Sequence, residues 1–425
     1  MIKEFNRVNR VNGELKLPGD KSISHRAVMI ACMADGVSVI KNLSSSEDVN
    51  STIKCFEQLG CNFEKNRSTL KVYGKGFKGF NRPTQTLDCG NSGTTARLLT
   101  GILSAQDFES ELVGDQSLSK RPMQRIVEPL RKMNANIFTS NSGTLPLKIY
   151  PSVLKPIEYE MPVASAQVKS SILFAALHLN EESTVIENFS TRDHTEKMLG
   201  LRTSQNNSMK KIYSSKKYYP SSFVMNIPSD ISSASFFMVL ALLLPESELL
   251  LKNISLNPTR IGVIKLLKEM GGNIEILNAS HEKNEEIGDV IVKSSKLRNV
   301  EIDKAIIPNI IDEIPILSIA GVFAEGSFKI TNARELRFKE SDRIKALCEN
   351  YKLAGLKVDE FDDGFVVNGN LSNETVMFNS YNDHRIAMAF AILSTLLPQG
   401  GKVTDFECVK ISNPSFLEQL SLIAS

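Results

Sequence analysis

Residues 22–34 read SISHRAVMIACMA, a small and polar start followed by an apolar run, and this pattern is the main indication of the fold. A β-type stretch, VSVIKNL (37–43), comes next, and a more polar stretch then ends at Leu59-Gly60. Glycine at that point supplies the left-handed cap that ends many helices. The order therefore predicts an apolar helix, a strand, an amphipathic helix and a short strand, CNFE (61–64).

The same order recurs along the whole chain, which is typical of a repeat architecture. The other apolar runs are NSGTTARLLTGIL (91–103), SAQVKSSILFAAL (165–177), SSASFFMVLALLL (232–244), DEIPILSIAGVFA (312–324) and DHRIAMAFAILST (383–395). The alternative is an open α/β sheet with coincidental spacing. Pattern, helix caps and spacing agree with one another, so we favour six repeats.

The length of 425 residues predicts two domains, because a single core rarely grows beyond about 250–300 residues. Six repeats then give an α/β fold with three repeats in each domain. We expect the chain to cross between domains near Pro18-Gly19 and again near residues 228–230, where Pro and Gly suit a hinge. The predicted N-terminal domain is 19–229, and the C-terminal domain is 1–18 plus 230–425.

Composition excludes several classes of protein. The 50 basic and 48 acidic residues give a net charge of +2, whereas a general nucleic-acid binder needs a strong basic excess. The longest apolar stretch, 236–245, is too short to span a bilayer, and the start MIKEFNRVNR has no secretory apolar region. The six cysteines form no CxxC pair, which predicts reduced thiols in the cytoplasm. The spacing of the five histidines predicts no metal site.

Charged side chains gather at the helix starts, where free N–H groups and the positive end of the helix dipole favour anions. Lys21, Ser22 and Arg26 begin the first run, and Gly93 lets a ligand approach the backbone in the second. The later candidates are Ser165 and Gln167, then Asp312 and Glu313, and finally Asp383, His384 and Arg385. The fourth start, from Ser232, offers no basic group, so we interpret it as a hinge and packing element.

Two amphipathic segments add more charged candidates. The KRPMQR motif places Arg121 before Pro122, which is predicted to be the first helical residue. In the FKESDR motif, Lys339 and Arg343 are predicted to lie one turn apart on one helix face, with Glu340 beside them. Because these cations recur at equivalent places in the repeat, the fold would bring them together.

Each candidate also has an ordinary structural explanation. Asn91 and Ser165 could be helix N-caps, and His384 could be a core histidine with satisfied hydrogen bonds. The lysines and arginines could be surface cations paired with carboxylates. The prediction of a site therefore depends on the whole set rather than on any single residue.

Six segments in this sequence resemble the EPSP synthase family, the 3-phosphoshikimate 1-carboxyvinyltransferases. They are LPGDKSISHRA, GNSGTTARLL, KRPMQRIVEPL, SAQVKSSIL, ELRFKESDRI and YNDHRIAMAF, and they follow in order between Leu17 and about Phe416. The resemblance implies a two-domain inside-out α/β barrel of six βαβαββ repeats, three per domain, with an interdomain active-site cleft. It also implies transfer of the enolpyruvyl group of phosphoenolpyruvate to the 5-hydroxyl of shikimate 3-phosphate, on the shikimate pathway to chorismate and aromatic amino acids.

The resemblance also implies a role for each matched residue. The ligands implied for shikimate 3-phosphate are Lys21, Ser22, Arg26, Ser165, Ala166, Gln167, Arg192, Asp312 and Lys339. Those implied for phosphoenolpyruvate are Lys21, Gly93, Arg121, Gln167, Arg343 and Arg385. Guanidinium groups suit this second substrate because they grip carboxylate and phosphate bidentately. The catalytic candidates are Asp312 at the 5-hydroxyl, and Glu340 or Lys21 as the donor of the methylene proton.

The partners that the resemblance implies are the two small substrates alone, with no cofactor, no metal, no nucleic acid and no membrane. We expect a monomer. Gly93 should leave room for glyphosate, the known inhibitor of the family. Two positions depart from the pattern, since Ile411 stands where part of the family has Lys, and Glu335 where another subgroup has Asn. We therefore leave Lys410, one residue before Ile411, out of the site.

Two rival functions remain open on the sequence alone. The first is the sister enolpyruvyl transferase acting on UDP-N-acetylglucosamine, which usually carries a reactive Cys in a loop of its N-terminal half. Neither Cys61 nor Cys89 lies in that motif. The second is a non-catalytic anion-binding protein with the same fold, and the presence of both Asp312 and Glu340 argues against it.

Overall fold

The computed structural model describes residues 1–206, 209–282 and 284–424, which form an α/β fold. Its strands are β1 Lys3–Phe5, β2 Asn12–Lys16, β3 Asp35–Lys41, β4 Asn62–Asn66, β5 Thr69–Lys75, β6 Leu87–Asp88, β7 Ser110–Val113, β8 Asn136–Phe138, β9 Leu147–Tyr150, β10 Glu158–Glu160, β11 Ser183–Glu187, β12 Thr203–Asn206, β13 Met209–Ser214, β14 Val224–Asn226, β15 Glu248–Ser255, β16 Asn273–Glu282, β17 Glu285–Lys293, β18 Phe328–Ile330, β19 Lys357–Phe361, β20 Gly364–Asn368, β21 Val376–Phe378 and β22 Gly401–Val403. Its α-helices are α1 Lys21–Met33, α2 Glu47–Gln58, α3 Gly93–Leu103, α4 Gln124–Lys132, α5 Ala166–Ala176, α6 His194–Leu199, α7 Ile231–Leu243, α8 Gly262–Glu269, α9 Ile307–Ile310, α10 Ile314–Phe323, α11 Arg343–Leu353, α12 His384–Leu396 and α13 Phe416–Ile423.

Contacts divide the chain into two compact units. Unit 1 comprises Met1–Pro18, Pro228–His281 and Glu286–Ser425, and unit 2 comprises Gly19–Ile227 and Glu282–Glu285. Each unit has an apolar core of its own. The predicted domain ranges stay predictions, and the contact division differs from them chiefly by placing the segment Glu282–Glu285 with unit 2.

Unit 2 contains three sheets of one design. Their strand orders are β14-β3-β5-β4, β6-β7-β9-β8 and β10-β11-β13-β12. In each sheet the first two strands run parallel and the later pairs are antiparallel. The second and third sheets follow the order βαβαββ along the chain, and β14 supplies the missing parallel strand of the first.

Unit 1 also contains three sheets, and strands from the start of the chain complete two of them. The strand orders are β16-β17-β15-β2, β18-β20-β19 and β1-β22-β21. Strand β2 pairs in parallel with β15, and β1 pairs antiparallel with β22, where Lys3 lies opposite Val403. The six small sheets of the described residues therefore confirm a fold built from six repeated α/β units.

The helices confirm the repeat pattern in detail. Each predicted apolar run forms a helix, namely α1, α3, α5, α7, α10 and α12, and most of their residues are buried. Five of the six begin at a residue whose side chain accepts a backbone N–H: Asp20, Ser92, Ser165, Asp230 and Asp383. The amphipathic helices end at residues with positive φ, which are Gly60, Asn134, Gly200, Gly271 and Gly355.

Two local predictions were wrong. Pro122 does not open a helix, because Arg121 ends a 3₁₀ turn at Leu118–Lys120 and α4 begins only at Gln124. Lys339 and Arg343 do not share a helix face either. A 3₁₀ turn at Arg334–Phe338 ends just before Lys339, and α11 begins at Arg343 with Asp342 as its N-cap.

No single helix in the described ranges is long and apolar enough to cross a membrane. One pair of consecutive helical segments, Lys304–Ile310 and Ile314–Phe323, would be long and apolar enough together, by length and composition only. The two segments are bent by 115° relative to each other.

Candidate active site

The start of α1 forms the first part of the candidate site, within unit 2. Arg26 is 3% exposed and donates to Thr195 Oγ1 at 2.7 Å, to the Ser22 carbonyl at 3.0 Å and to Ser170 Oγ at 3.0 Å. Arg192 donates to Ser22 Oγ at 3.3 Å, so the structure brings this predicted residue to the same place. These contacts link the first helix start to α5 and α6.

Lys21 opens α1 and carries a partner that the sequence did not reveal. Its Nζ lies 2.8 Å from Asp48 Oδ2 in the second residue of α2. One turn along α1, His25 contacts Thr52 Oγ1 at 2.7 Å through Nδ1. Burial, and then the charges of Lys21 and Arg26, hold the pKa of His25 well below its usual range. His25 is therefore neutral near pH 7 and adds no positive charge to this helix start.

The start of α3 holds the second cluster of unit 2. Gln167, in the first turn of α5, accepts from Arg97 at 2.8 Å and donates to Thr94 Oγ1 at 3.1 Å. Arg121 donates to Asn91 Oδ1 at 2.7 Å. A Cβ built on Gly93 would lie 2.7 Å from Arg97 NH1 and 3.5 Å from Arg121 NH1, so both guanidinium groups lie against this glycine.

Helix α5 joins the two clusters of unit 2. Ser165 is its N-cap, Ala166 is its first residue, and Gln167 and Ser170 then contact Arg97 and Arg26 respectively. A spacing of three residues places Gln167 and Ser170 on one face of the helix. Exposed backbone N–H groups at such a start can bind an anion. Ser165 is the N-cap of α5, as one of the structural explanations predicted, whereas the N-cap of α3 is Ser92 rather than Asn91.

Unit 1 holds a cluster of alternating charges around Asp312. Lys339 Nζ and Arg343 NH1 each lie 3.2 Å from Asp312 Oδ1. Arg385 NH1 donates to the Asp312 carbonyl at 2.8 Å, and Arg343 NH2 donates to Glu340 Oε2 at 2.5 Å. All five site residues predicted in the C-terminal half therefore lie in this one cluster, although Lys339 and Glu340 belong to a loop rather than to a helix.

Arg343 is the centre of this cluster. It is 1% exposed, and Asp383 accepts from its Nε at 2.8 Å and from NH2 at 3.2 Å. Burial lowers the pKa of Arg343, but the carboxylates of Asp383, Glu340 and Asp312 raise it by more, so the net pKa lies above its ordinary value. The guanidinium is therefore permanently charged, and its carboxylate partners must share it with any anion that binds.

Several residues of these clusters were missed by the sequence reasoning. They are Asp48, Arg97, Ser170, Thr195 and Arg260. Arg97 had a usable signal, since it stands one helical turn after Gly93. The fourth helix start was predicted to lack a basic group, but Arg260, which is remote in sequence, donates to Ser232 Oγ there at 2.6 Å.

Other candidates lie apart from the clusters. Lys410, left out of the predicted site, is exposed in the 3₁₀ segment Phe406–Ile411. His384 is the first residue of α12 and is 1% exposed. The described residues include no group of three or more His, Cys, Asp or Glu side chains that could hold a metal ion.

The fold is that of the enolpyruvyl transferases. The enolpyruvyl transferase NikO from Streptomyces tendae matches it with a TM-score of 0.76 over 100% of this chain and 97% of that chain, at 14% identity. An EPSP synthase from Acinetobacter baumannii matches with a TM-score of 0.86 and 37% identity, over 100% and 98% of the two chains.

Sequence comparison defines the family within this fold. A family model described as EPSP synthase (3-phosphoshikimate 1-carboxyvinyltransferase) matches residues 5–420, and the chain belongs to that family. Relatives named 3-phosphoshikimate 1-carboxyvinyltransferase include one from Persephonella marina, 44% identical over 100% of both chains. Another, from Alkaliphilus metalliredigens, is 45% identical over 98% of this chain and 99% of the relative. The family predicted from the sequence motifs is thus confirmed.

Proposed function

We propose that this protein transfers the enolpyruvyl group of phosphoenolpyruvate to the 5-hydroxyl of shikimate 3-phosphate and releases phosphate. The observation that carries the proposal is the cluster in which Lys339, Arg343 and Arg385 each contact Asp312. Such a cluster supplies both anion ligands and a carboxylate able to take a proton. The full-length similarity to relatives bearing the name of this activity supports the choice of substrates.

Shikimate 3-phosphate is proposed to bind mainly through unit 2. Its proposed ligands there are Lys21, Ser22, Arg26, Ser165, Ala166, Gln167 and Arg192. The contacts of Arg26 with α5 and α6 support this, because they hold the guanidinium in one orientation beside the start of α5. A fixed guanidinium and free backbone N–H groups suit a phosphate ester.

The proposed ligands of phosphoenolpyruvate are Lys21, Gly93, Arg121, Gln167, Arg343 and Arg385. The substrate carries a carboxylate and a phosphate, so several cations are needed to offset its charge. The guanidinium groups of Arg97 and Arg121, which lie against Gly93, support this placement. Glyphosate is proposed to bind beside Gly93 as well, and full activity at high glyphosate concentration would contradict that part.

The chemistry is addition followed by elimination. Asp312, with Lys339 at 3.2 Å, is proposed to take the proton of the 5-hydroxyl as oxygen attacks the enolpyruvyl carbon. The methylene carbon gains a proton from Glu340 or Lys21, which gives a tetrahedral ketal. Loss of that methylene proton and departure of phosphate complete the reaction. Arg343 and Arg385 would stabilise charge on the substrate carboxylate.

A phosphate-release assay with both substrates tests the proposal directly. Phosphate should appear only when shikimate 3-phosphate and phosphoenolpyruvate are both present, and Asp312→Asn should abolish it. Release with UDP-N-acetylglucosamine in place of shikimate 3-phosphate would establish the sister activity instead. Binding of both substrates without any release would indicate a non-catalytic anion-binding protein. Label exchange into the methylene group in Glu340→Gln and Lys21→Met variants would identify the proton donor.

We further propose that the protein acts as a cytoplasmic monomer with no metal or organic cofactor. The reduced state expected for its cysteines supports this location. Light scattering at the concentration of the assay tests the oligomeric state. Activity that persists after treatment with a chelator tests the independence from metal.

A further inference from the structure

A buried polar network in unit 1 adjoins the Asp312 cluster but is not explained by it. Arg260 is 2% exposed and precedes α8, and Glu313 has no exposed surface and is the N-cap residue of α10. Arg260 NH2 donates to Ser232 Oγ at 2.6 Å, and the Ser232 hydroxyl donates to Glu313 Oε1. A hydroxyl has a single proton, so donation runs one way, from Arg260 through Ser232 to Glu313.

The network reaches the candidate active site at two points. Glu313 Oε1 lies 3.6 Å from Arg385 NH1, and the same nitrogen donates to the Asp312 carbonyl at 2.8 Å. Glu313 also follows Asp312 directly in the chain. The network therefore restrains both the guanidinium of Arg385 and the backbone that carries the Asp312 carboxylate.

Stability alone does not account for this arrangement. Buried ion pairs typically recover little more than the cost of removing both charges from water, and apolar replacements are often neutral or stabilising. Glu313 Oε2 is buried and accepts no hydrogen bond from any described residue, whereas buried polar atoms are normally paired. The buried Glu313 carboxylate next to Arg385 is therefore better explained by a role in positioning Arg385.

The repeat architecture also supports a positioning role for Arg260. Arg260 lies two residues before α8, as Arg192 lies two residues before α6, and Arg343 is the first residue of α11. Arg192 and Arg343 both contact predicted substrate ligands, Ser22 and Asp312 respectively. The fourth repeat thus also has a cation near the start of its second helix, and this cation contacts Ser232 at the start of α7.

We propose that Arg260, Ser232 and Glu313 are positioning residues, which hold Arg385 and Asp312 in the geometry needed to bind phosphoenolpyruvate and to accept the substrate proton. This inference rests on the proposed function. None of the three is proposed to touch a substrate. Their effect should therefore appear in the kinetic constants that depend on Arg385 and Asp312.

Ser232→Ala tests the proposal most directly, because it removes the hydroxyl that accepts from Arg260 and donates to Glu313, while the longer Arg260–Glu313 ion pair of 3.9 Å is left in place. Loss of a hydrogen bond to a charged group changes an equilibrium or a rate by a factor of about 10–100, and the lower end applies here because Ser232 acts on Arg385 and Asp312 through Glu313. We expect the KM for phosphoenolpyruvate to rise about tenfold and kcat to fall about tenfold. The Kd for shikimate 3-phosphate alone, measured by calorimetry, should change by less than about twofold, because most of its proposed ligands belong to unit 2.

Ser235→Ala is the matched control. Ser235 lies on the same helix with no exposed surface, and its hydroxyl donates to the Ser232 carbonyl at 2.7 Å. The control loses the same buried group without touching Arg260 or Glu313. It should keep the wild-type KM for phosphoenolpyruvate, and urea unfolding of both variants measures the fraction folded.

A second variant keeps the test decisive if Ser232→Ala folds poorly. Glu313→Gln preserves the side-chain volume and an acceptor for Ser232 but removes the charge beside Arg385. It should raise the KM for phosphoenolpyruvate about tenfold, and adding Arg260→Met should raise it little further, because both changes break one network. A wild-type KM in both Ser232→Ala and Glu313→Gln would overturn the inference while leaving the proposed function intact. An inactive wild-type protein would overturn both.

Discussion

Replacing Gly93 by alanine tests whether the cations at the start of α3 bind an anion through their placement. The new Cβ would lie 2.7 Å from Arg97 NH1, whereas ordinary contacts begin at 3.4 Å. The guanidinium must therefore move by about 0.7 Å. Arg97 is 6% exposed and already donates to Gln167 at 2.8 Å and to the Pro122 carbonyl at 3.3 Å, so it has little room to move.

The size of the effect follows from the bond that this shift disturbs. Moving the guanidinium by about 0.7 Å stretches the contact with Gln167 to as much as about 3.5 Å, where a hydrogen bond is largely lost. Hydrogen bonds to charged groups contribute about 1.5–3 kcal/mol, which corresponds to a factor of about 10–100. We therefore expect the KM for phosphoenolpyruvate to rise by about 10- to 100-fold.

The assay is phosphate release at saturating shikimate 3-phosphate with phosphoenolpyruvate varied. Gly93 is the first residue of α3, where alanine is a better helix former, but loss of the Arg97–Gln167 hydrogen bond should lower the free energy of unfolding by about 1–3 kcal/mol, so the variant should still fold. The Kd for shikimate 3-phosphate should stay constant, because Arg26 is held by Thr195 and Ser170 rather than by Gly93. A folded variant with the wild-type KM would refute the placement of phosphoenolpyruvate beside Gly93.

Three further predictions test other parts of the molecule. Arg121→Ala and Arg343→Ala should both raise the KM for phosphoenolpyruvate, and unchanged kinetic constants would contradict either assignment. Arg343→Ala should also lower the free energy of unfolding by about 3–5 kcal/mol, because buried carboxylates lose their partner. Asp312→Ala should still bind shikimate 3-phosphate in calorimetry while releasing no phosphate, and measurable turnover would exclude Asp312 as the essential base. Burial lowers the pKa of His178 from 6.5 to about 4. As the pH falls below 6.5, His178 is therefore protonated in the unfolded chain before it is protonated in the folded protein, and the free energy of unfolding falls. Between pH 7 and pH 5 the wild type should lose about 1–2 kcal/mol more than His178→Gln in urea unfolding, and equal losses would contradict this.

The fold could be predicted largely because its signals are local and repeated. Apolar runs with polar starts became α1, α3, α5, α7, α10 and α12, and Gly or Asn at the ends of the amphipathic helices took positive φ as expected. Each of these signals is contained in a few neighbouring residues. Because the signals recur six times, an error in one repeat could be recognised from the others.

The candidate site was predictable only where a motif carries it. Lys339 and Arg343 were correctly expected to lie close together, but the expected helix does not exist, since both converge on Asp312 from a loop and a helix start. Spacing alone cannot reveal such an arrangement, because the contact is made through a third residue. Asp48 was missed for a different reason, because its direct partner Lys21 is 27 residues away in sequence.

Arg260 and Glu313 show a different limit. Glu313 was noted as part of a helix start, but its burial against Ser232 depends on the packing of α7, α8 and α10 in three dimensions. A charged residue with no exposed surface looks the same in a sequence as one on the surface. Tertiary contacts alone distinguish the two, and here they turn an apparently neutral helix start into a charged network.

The pairing of β1 with β22 has a consequence for how the chain is made. Lys3 and Val403 lie opposite each other, so 400 residues separate the partners. Strand β2 likewise pairs with β15 only after the whole segment Gly19–Ile227 has emerged from the ribosome. Unit 2 can therefore complete all three of its sheets during synthesis, while the earliest-made strands wait with unpaired backbone edges. During translation such waiting strands are natural binding sites for a chaperone.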